Sequence, residues 1–411
     1  MRSIIASKFF STLLAVRLML IGLAVVLPQT QAAELTDLYQ AEVDANQSQS
    51  QWQQAAMAAV LVKLTGSEQI LTQGAIAAEL KNSANYIRQF QQVQQQGRNL
   101  MQVQLDQQKI TSLLQQQQVA IWGSRRPDLL IWLTEKTIDQ AKFVLDAEHP
   151  LRQALAAQAK QRGLSFVYPM YDVDDLAVVS EAQLVAGDWS GLSIAATRYQ
   201  ADQVLGLLVE QTVDASGQAS VKLVRQQLVA GAVVQQEYIA ADWNTVVQQL
   251  AQALAAELAS QYAVKVAQTD VGAGQQLQLT IEGVTSLTDL VALQKVFGSM
   301  LTVRQFSVLQ YQAPQVLLKL ELATTVADFY RALALESQLK PLTLPAASSV
   351  VAGAESPVAT DITEDLTTAE QAMAAALGVE EAPIVDAETA TVPTDVVTAP
   401  VEATHYQFTR R

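Results

Sequence analysis

The stretch "DLLIWL" at 128–133 constrains the fold more than any other. It is an apolar run with no polar residue alternating through it, and it is too short to span a bilayer. A short continuous run of this kind is a strand buried on both faces. Both faces must therefore be covered, and the neighbouring sequence supplies the covers. "LRQALAAQAKQRG" follows Pro150 as a helix, and "LSFVYPM" (164–170) is the next strand. "LSIAATRYQA" (192–201) is a helix, and "DQVLGLLVEQT" (202–212) is a third strand. "SVKLVRQQLV" and "AVVQQEYIA" flank Gly231 as an antiparallel pair, and "DWNTVVQQLAQALAAELASQYA" (242–263) is a long helix capped by Asp242. Strands alternating with helices predict an α/β unit over 123–268, with a mostly parallel sheet and an antiparallel edge.

The flanking segments share a different order. "LYQAEV" (38–43) reads as a strand and "WQQAAMAAVLVKLTG" (52–66) as a helix stopped by Gly66. After a short helix at 75–80, "YIRQFQQV" and "NLMQVQLD" form a hairpin, and 107–118 is a helix. The glutamines are interrupted by apolar residues at strand or helix period, which argues against a prion-like reading. "QLQLTIEGV", "SLTDLVALQKVFGSM", "LTVRQFSVLQYQ", "QVLLKLELA" and "TVADFYRALALE" give strand, helix, two strands and helix again. The predicted class is α/β with α+β flanking units: βαββα at 33–122, the α/β unit at 123–268, and βαββα at 269–341, all with mixed sheets.

The two ends differ from this body. Arg2, Lys8 and Arg17 precede the apolar run Leu18–Leu27, which Pro28 breaks before Thr30-Gln31-Ala32. A charged segment, a short apolar segment and a small-residue site predict a signal peptide over 1–32, cleaved near Ala33. The product is expected in the periplasm, with no integral membrane span in the mature chain. The chain has no cysteine, which excludes disulfides and thiol chemistry. Its formal charge is −14, and losing the three N-terminal cations takes it to −17. That sign argues against a nucleic-acid partner. From Leu342 the composition shifts to Ala, Thr, Val, Pro and acid, with no aromatic before Tyr406. So little to bury predicts a disordered acidic tail over 342–411, with one short helix at "TTAEQAMAAALG" (367–378).

Several stretches together carry a family likeness: "LYQAEV", "AAVLVKLTG", "IWGSRRPDLLIWL", "LRQALAAQAKQRGL", "YDVDDLAVV", "ATRYQADQVLGLLV" and "IEGVTSLTDL". On these the chain resembles the bacterial family DUF2066 from Ala33 to about Glu336. The resemblance implies an exported protein of unknown function, and it assigns no mechanism because the family offers no established activity. "ATRYQADQVLGLLV" also looks like a step in small exported α/β domains of envelope machinery. That likeness is one of fold alone and implies partner binding.

Chemistry-bearing residues are sparse. The histidines are His149, before Pro150 at a helix start, and His405, in the tail. There is no nucleophile elbow, no Walker A loop and no G-x-G-x-x-G. Asp172, Asp174 and Asp175 follow a strand and form the one metal candidate, for Ca²⁺ or Mg²⁺. The preferred reading there is a solvated loop with a helix cap, since the EF-hand pattern is absent. Arg125-Arg126 with Trp122 is the ligand or partner candidate, because guanidinium groups grip carboxylate or phosphate bidentately. Pro127 and the Trp122 ring favour a structural reading instead, in which the pair pins the first unit to the second. No cofactor and no catalytic residue is assigned. The expected function is a non-enzymatic scaffold or accessory factor in envelope assembly, with an envelope protein as partner. Such a scaffold should expose an apolar patch or an open sheet edge. The alternatives are a carboxylate-based cell-wall hydrolase around Asp172–Asp175 and a module for a small anionic ligand at Arg125 or Arg126.

Overall fold

The computed structural model describes residues 37–95, 97–213, 217–266, 275–342 and 405–409. The expected signal peptide and the helix at 367–378 lie outside these residues. Three sheets, each with its own helices, make up the described body, which is of the expected α/β class.

The middle sheet is built on β4 (Asp128–Lys136), the strand begun by the apolar run. Leu129, Ile131 and Leu133 face α4 (Pro150–Arg162) and α8 (Trp243–Tyr262) in one core. Leu130 and Trp132 point the other way, into a second core. That core is closed by α6 (Glu181–Ala186) and α7 (Ser190–Tyr199), through Leu184, Leu192, Ala195 and Tyr199. Both faces of the strand are thus dry, as its composition requires. Its neighbours are β7 (Gln203–Val213) on one side and, on the other, β5 (Ala141–Phe143) and β6 (Ser165–Val167). β8 (Ala219–Val229) and β9 (Ala232–Ala240) complete the order β5-β4-β7-β8-β9, with β6 beside β4. Only β6 and β7 run parallel to β4; the other pairings are antiparallel. The expectation of a mostly parallel sheet is corrected to a mixed one. The links from β7 to β8 and from β8 to β9 are too short to hold a crossover helix, so both pairs are antiparallel.

α5 (Val173–Val178) and α7 lie against each other. A Cβ on Gly191 would stand 1.9 Å from the Val178 carbonyl oxygen, so only glycine permits that approach.

The first sheet has the order β1-β3-β2, from β1 (Gln40–Asp44), β2 (Ile87–Gln95) and β3 (Arg98–Leu105). α1 (Gln49–Thr65), α2 (Gly74–Leu80) and α3 (Gln107–Gln116) accompany it. Met57, Val60, Leu61 and Leu64 of α1 meet Val103 and Leu105 of β3 and Ile110 and Leu114 of α3. The opposite sheet face carries glutamines. Gln91 donates to Gln102, Gln102 to Glu42 at 3.5 Å, and Lys160 of α4 donates to Glu42 at 2.7 Å. α1 ends at Gly66, whose φ of 70° is left-handed. A Cβ there would lie 2.4 Å from Ala259 Cβ, so the end of α1 abuts α8 backbone to backbone.

The third sheet has the order β11-β12-β10-β14-β13. Its strands are β10 (Gln276–Glu282), β11 (Val303–Gln312), β12 (Gln315–Leu322), β13 (Leu339–Pro341) and β14 (His405–Phe408). α9 (Leu287–Ser299) and α10 (Val326–Ala334) accompany it. β14 corrects the expectation of a wholly disordered tail, which also placed His405 there. Its four residues pair parallel to β10 and antiparallel to β13, and Tyr406 and Phe408 are buried. These are the aromatic positions that return after the acidic stretch.

Candidate docking surface

The arginine pair sits where the three sheets meet. Ile121 pairs with Val264 as an isolated antiparallel bridge, and Trp122 N–H donates to Leu64 O at 2.7 Å. Pro127 then leads into β4. Arg126 is 1 % exposed and lies over the Trp122 ring at 3.5 Å. Its Nη2 donates to Lys63 O at 2.9 Å and to Trp122 O at 3.1 Å. Burial pushes this guanidinium below its usual pKa range, and burial does the same to the Lys63 ammonium. Arg126 therefore ties the end of α1 to the start of β4. Arg125 turns the other way, and its Nε lies 2.7 Å from the Glu336 carboxylate just past α10. The pair holds the first unit to the second, and the junction to the third unit as well. A cleft of about 50 Å³ beside Arg125, lined by Trp122, Leu301 and Glu336, has room for a few waters. Trp122 and both arginines are thus brought together, with their heads engaged inside the chain.

Two further ion pairs join the first two units. Arg162, 3 % exposed, meets Glu68 at 2.7 Å, and Lys160 meets Glu42.

Asp172, Asp174 and Asp175 start α5. Asp172 caps the helix by accepting from Asp175 N–H at 3.1 Å. Arg198 of α7 donates to Asp172 Oδ1 at 2.7 Å and Oδ2 at 2.6 Å, and to Asp175 Oδ1 at 3.3 Å. These Arg198 hydrogen bonds hold the Asp172 carboxyl down to about 2. Asp175 is buried and accepts from Tyr199 Oη and from Tyr171 N–H at 2.9 Å. Burial pushes the Tyr199 phenol up to about 12. Asp174 stays exposed in the first turn. Arg198 thus delivers to Asp172 and Asp175 the positive charge that a metal ion would have brought. Among the described residues, no group of three or more His, Cys, Asp or Glu is placed to hold a metal. His149 caps α4 by accepting from Leu151 N–H at 3.3 Å and lies 3.5 Å from Glu135. Arg198 went unread in the sequence, because nothing local joins it to Asp172.

The sheet edges are arranged unequally, and this too depends on strand order. Each sheet has a short edge strand carrying charge: β1 with Glu42 and Asp44, β5 with Lys142, β13 with Lys340 and Pro341; in the middle sheet the three-residue β6 shares that side of β4. Each also has one long edge strand with neither lysine nor proline and a single charge, Arg88 on β2, Glu237 on β9 and Arg304 on β11: β2 and β9 have nine residues, β11 ten. Lysine, proline, bulges and shortness are the devices that keep an edge from pairing with another chain. β2 has a register irregularity between Ile87 and Gln89, and β11 has two. β9 pairs with β8 from Val221–Val229 without a shift. It is also apolar: Val234 is 52 % and Ile239 56 % exposed, with Leu228 and Val229 exposed on β8 beside it. A second apolar patch lies on α5 and α7, where Val173, Leu176 and Ile194 are exposed.

No described helix is long and apolar enough to cross a membrane. Neither a curated protein nor a solved structure matches the chain. Residues 32–123 match the model of a domain of unknown function, DUF8605. This finding overturns the likeness to DUF2066, since the family model that matches is a different one. The match ends at Gly123, in the link where the first unit passes into the second.

Proposed function

We propose that the protein is a non-catalytic scaffold or accessory factor of the bacterial cell envelope, exported to the periplasm, which binds envelope proteins by strand addition. The observation that carries this reading is that every sheet has one short edge strand of three to five residues and one edge strand of nine or ten residues with neither lysine nor proline. An open edge offers a row of unpaired N–H and C=O groups, and a second chain can complete it as one more strand. The charged, then apolar, N-terminus supports export, and the acidic composition supports a protein partner over nucleic acid.

The test is affinity capture of the tagged chain after mild crosslinking in its own cells. Native protein is compared with Gln92→Lys in β2, Leu309→Lys in β11 and the exposed off-edge control Ile138→Lys. Strand addition predicts at least a tenfold loss of the recovered complex, about 1.4 kcal/mol, for one or both edge variants and none for the control. Equal recovery with all three folded variants rules the reading out.

A further inference from the structure

β9 is the least guarded of the three long edges, and its sequence is complementary to itself. Set two copies antiparallel about Gln236 and the side chains match. Val234 faces Tyr238 of the second copy, Val233 faces Ile239, and Gln235 faces Glu237. Each pair lies on one face of the sheet, because positions equidistant from the centre share a face in an antiparallel ladder. Apolar residues meet apolar residues on both sides of the axis. The only charge on the strand, Glu237, meets an amide that can donate to it. Its own charge is already balanced by Lys222 at 2.7 Å on β8. No like charges stand directly opposite each other.

We infer that β9 pairs with β9 of a second copy of this chain, joining two six-stranded middle sheets into one; this rests on the strand-addition reading above. The unbroken β8–β9 ladder presents nine residues, about 30 Å of edge. In this register the tip of the β8–β9 hairpin, with the exposed Leu228 and Val229, reaches toward the half-buried Trp243 that opens α8 of the other copy. That contact adds apolar area beyond the ladder, which a stable interface of about 800 Å² per partner needs. β2 and β11 stay open for other proteins.

The chain has no cysteine, so one introduced thiol reports cleanly. Gln236→Cys places two thiols across the axis, with Cα atoms about 4.5–5.5 Å apart, inside the disulfide range. Under mild oxidation this variant is expected to run as a covalent dimer under denaturing conditions, while Val213→Cys, exposed at the end of β7, forms no covalent dimer. Sedimentation of the native full chain is expected to give twice the monomer mass, and Ile239→Lys to return it to the monomer. A folded Gln236→Cys that forms no covalent dimer, or a native chain sedimenting as a monomer, overturns the self-pairing. Capture lost through the β2 and β11 lysines would persist in that case, so the wider reading falls only by its own test.

Discussion

Arg126 is buried against an indole ring and two carbonyl oxygens. Taking a charge out of water is costly, and backbone oxygens and a ring offset it less fully than a carboxylate does. Its value lies in position, because it closes the end of α1 onto the start of β4. Arg126→Ala should remove the stack, leave two carbonyls without a donor and open a cavity, costing about 3 kcal/mol in urea unfolding. Arg126→Met keeps the volume and drops the charge, and should cost about 1 kcal/mol or less. Equal losses in the two variants would mean that the charge, not the packing, matters. Asp172 gives a pH signature. Its carboxyl is held at about 2 against an ordinary 3.8, so the folded chain prefers the ionised form. The stability it adds is present above pH 4 and is lost as pH falls through about 2. Asp172→Asn should therefore lower the urea midpoint at pH 7, and the gap from native should close between pH 4 and pH 2. The Arg126–Trp122 stack was legible because the two residues lie one turn of chain apart. The partners Glu336 and Arg198 were not, since only the fold brings them near Arg125 and Asp172.

β14 shows how far an element can sit from the sheet it completes. It pairs on both sides, and β13 has no other strand beside it. A chain ending at Ala403 should lose the burial of Tyr406 and Phe408, about 3–5 kcal/mol at most. Hydrogen exchange should then show β13 unprotected and the facing amides of β10 exchanging faster. Unchanged protection would mean that the strand is dispensable. Most elements were readable from periodicity and caps: Asp242 caps α8, Ser286 caps α9, and Gly66 ends α1, as their sequence positions required. The direction of pairing was less readable. β4 and β7 are parallel because helices separate them, while β8 and β9 turn back through short links. β14 was missed because four residues beyond an acidic stretch have no periodicity long enough to count. At α5 the helix cap was legible and Asp172 supplies it, but the helix itself was not, because its apolar residues Val173 and Leu176 face outward and show no core stripe.

The three units are tied at one junction. The links around Trp122 and Val264 run side by side, and ion pairs from α4 reach the first unit. A body held this way presents its sheets as fixed edges, so that adding a strand needs no rearrangement of the cores. The sequence shows most of the strands, though not short ones such as β5 and β14. Which of them lie at an edge, and with what protection, is a property of strand order and stays hidden until the sheets are assembled. Hydrogen exchange on the chain alone and in its recovered complex measures this most directly. New protection is expected on the outward amides of β2 or β11, with those of β9 already protected in the chain alone, and none on β1, β5 and β13. Protection confined to helix surfaces, with β2 and β11 exchanging as in the free chain, would contradict strand addition.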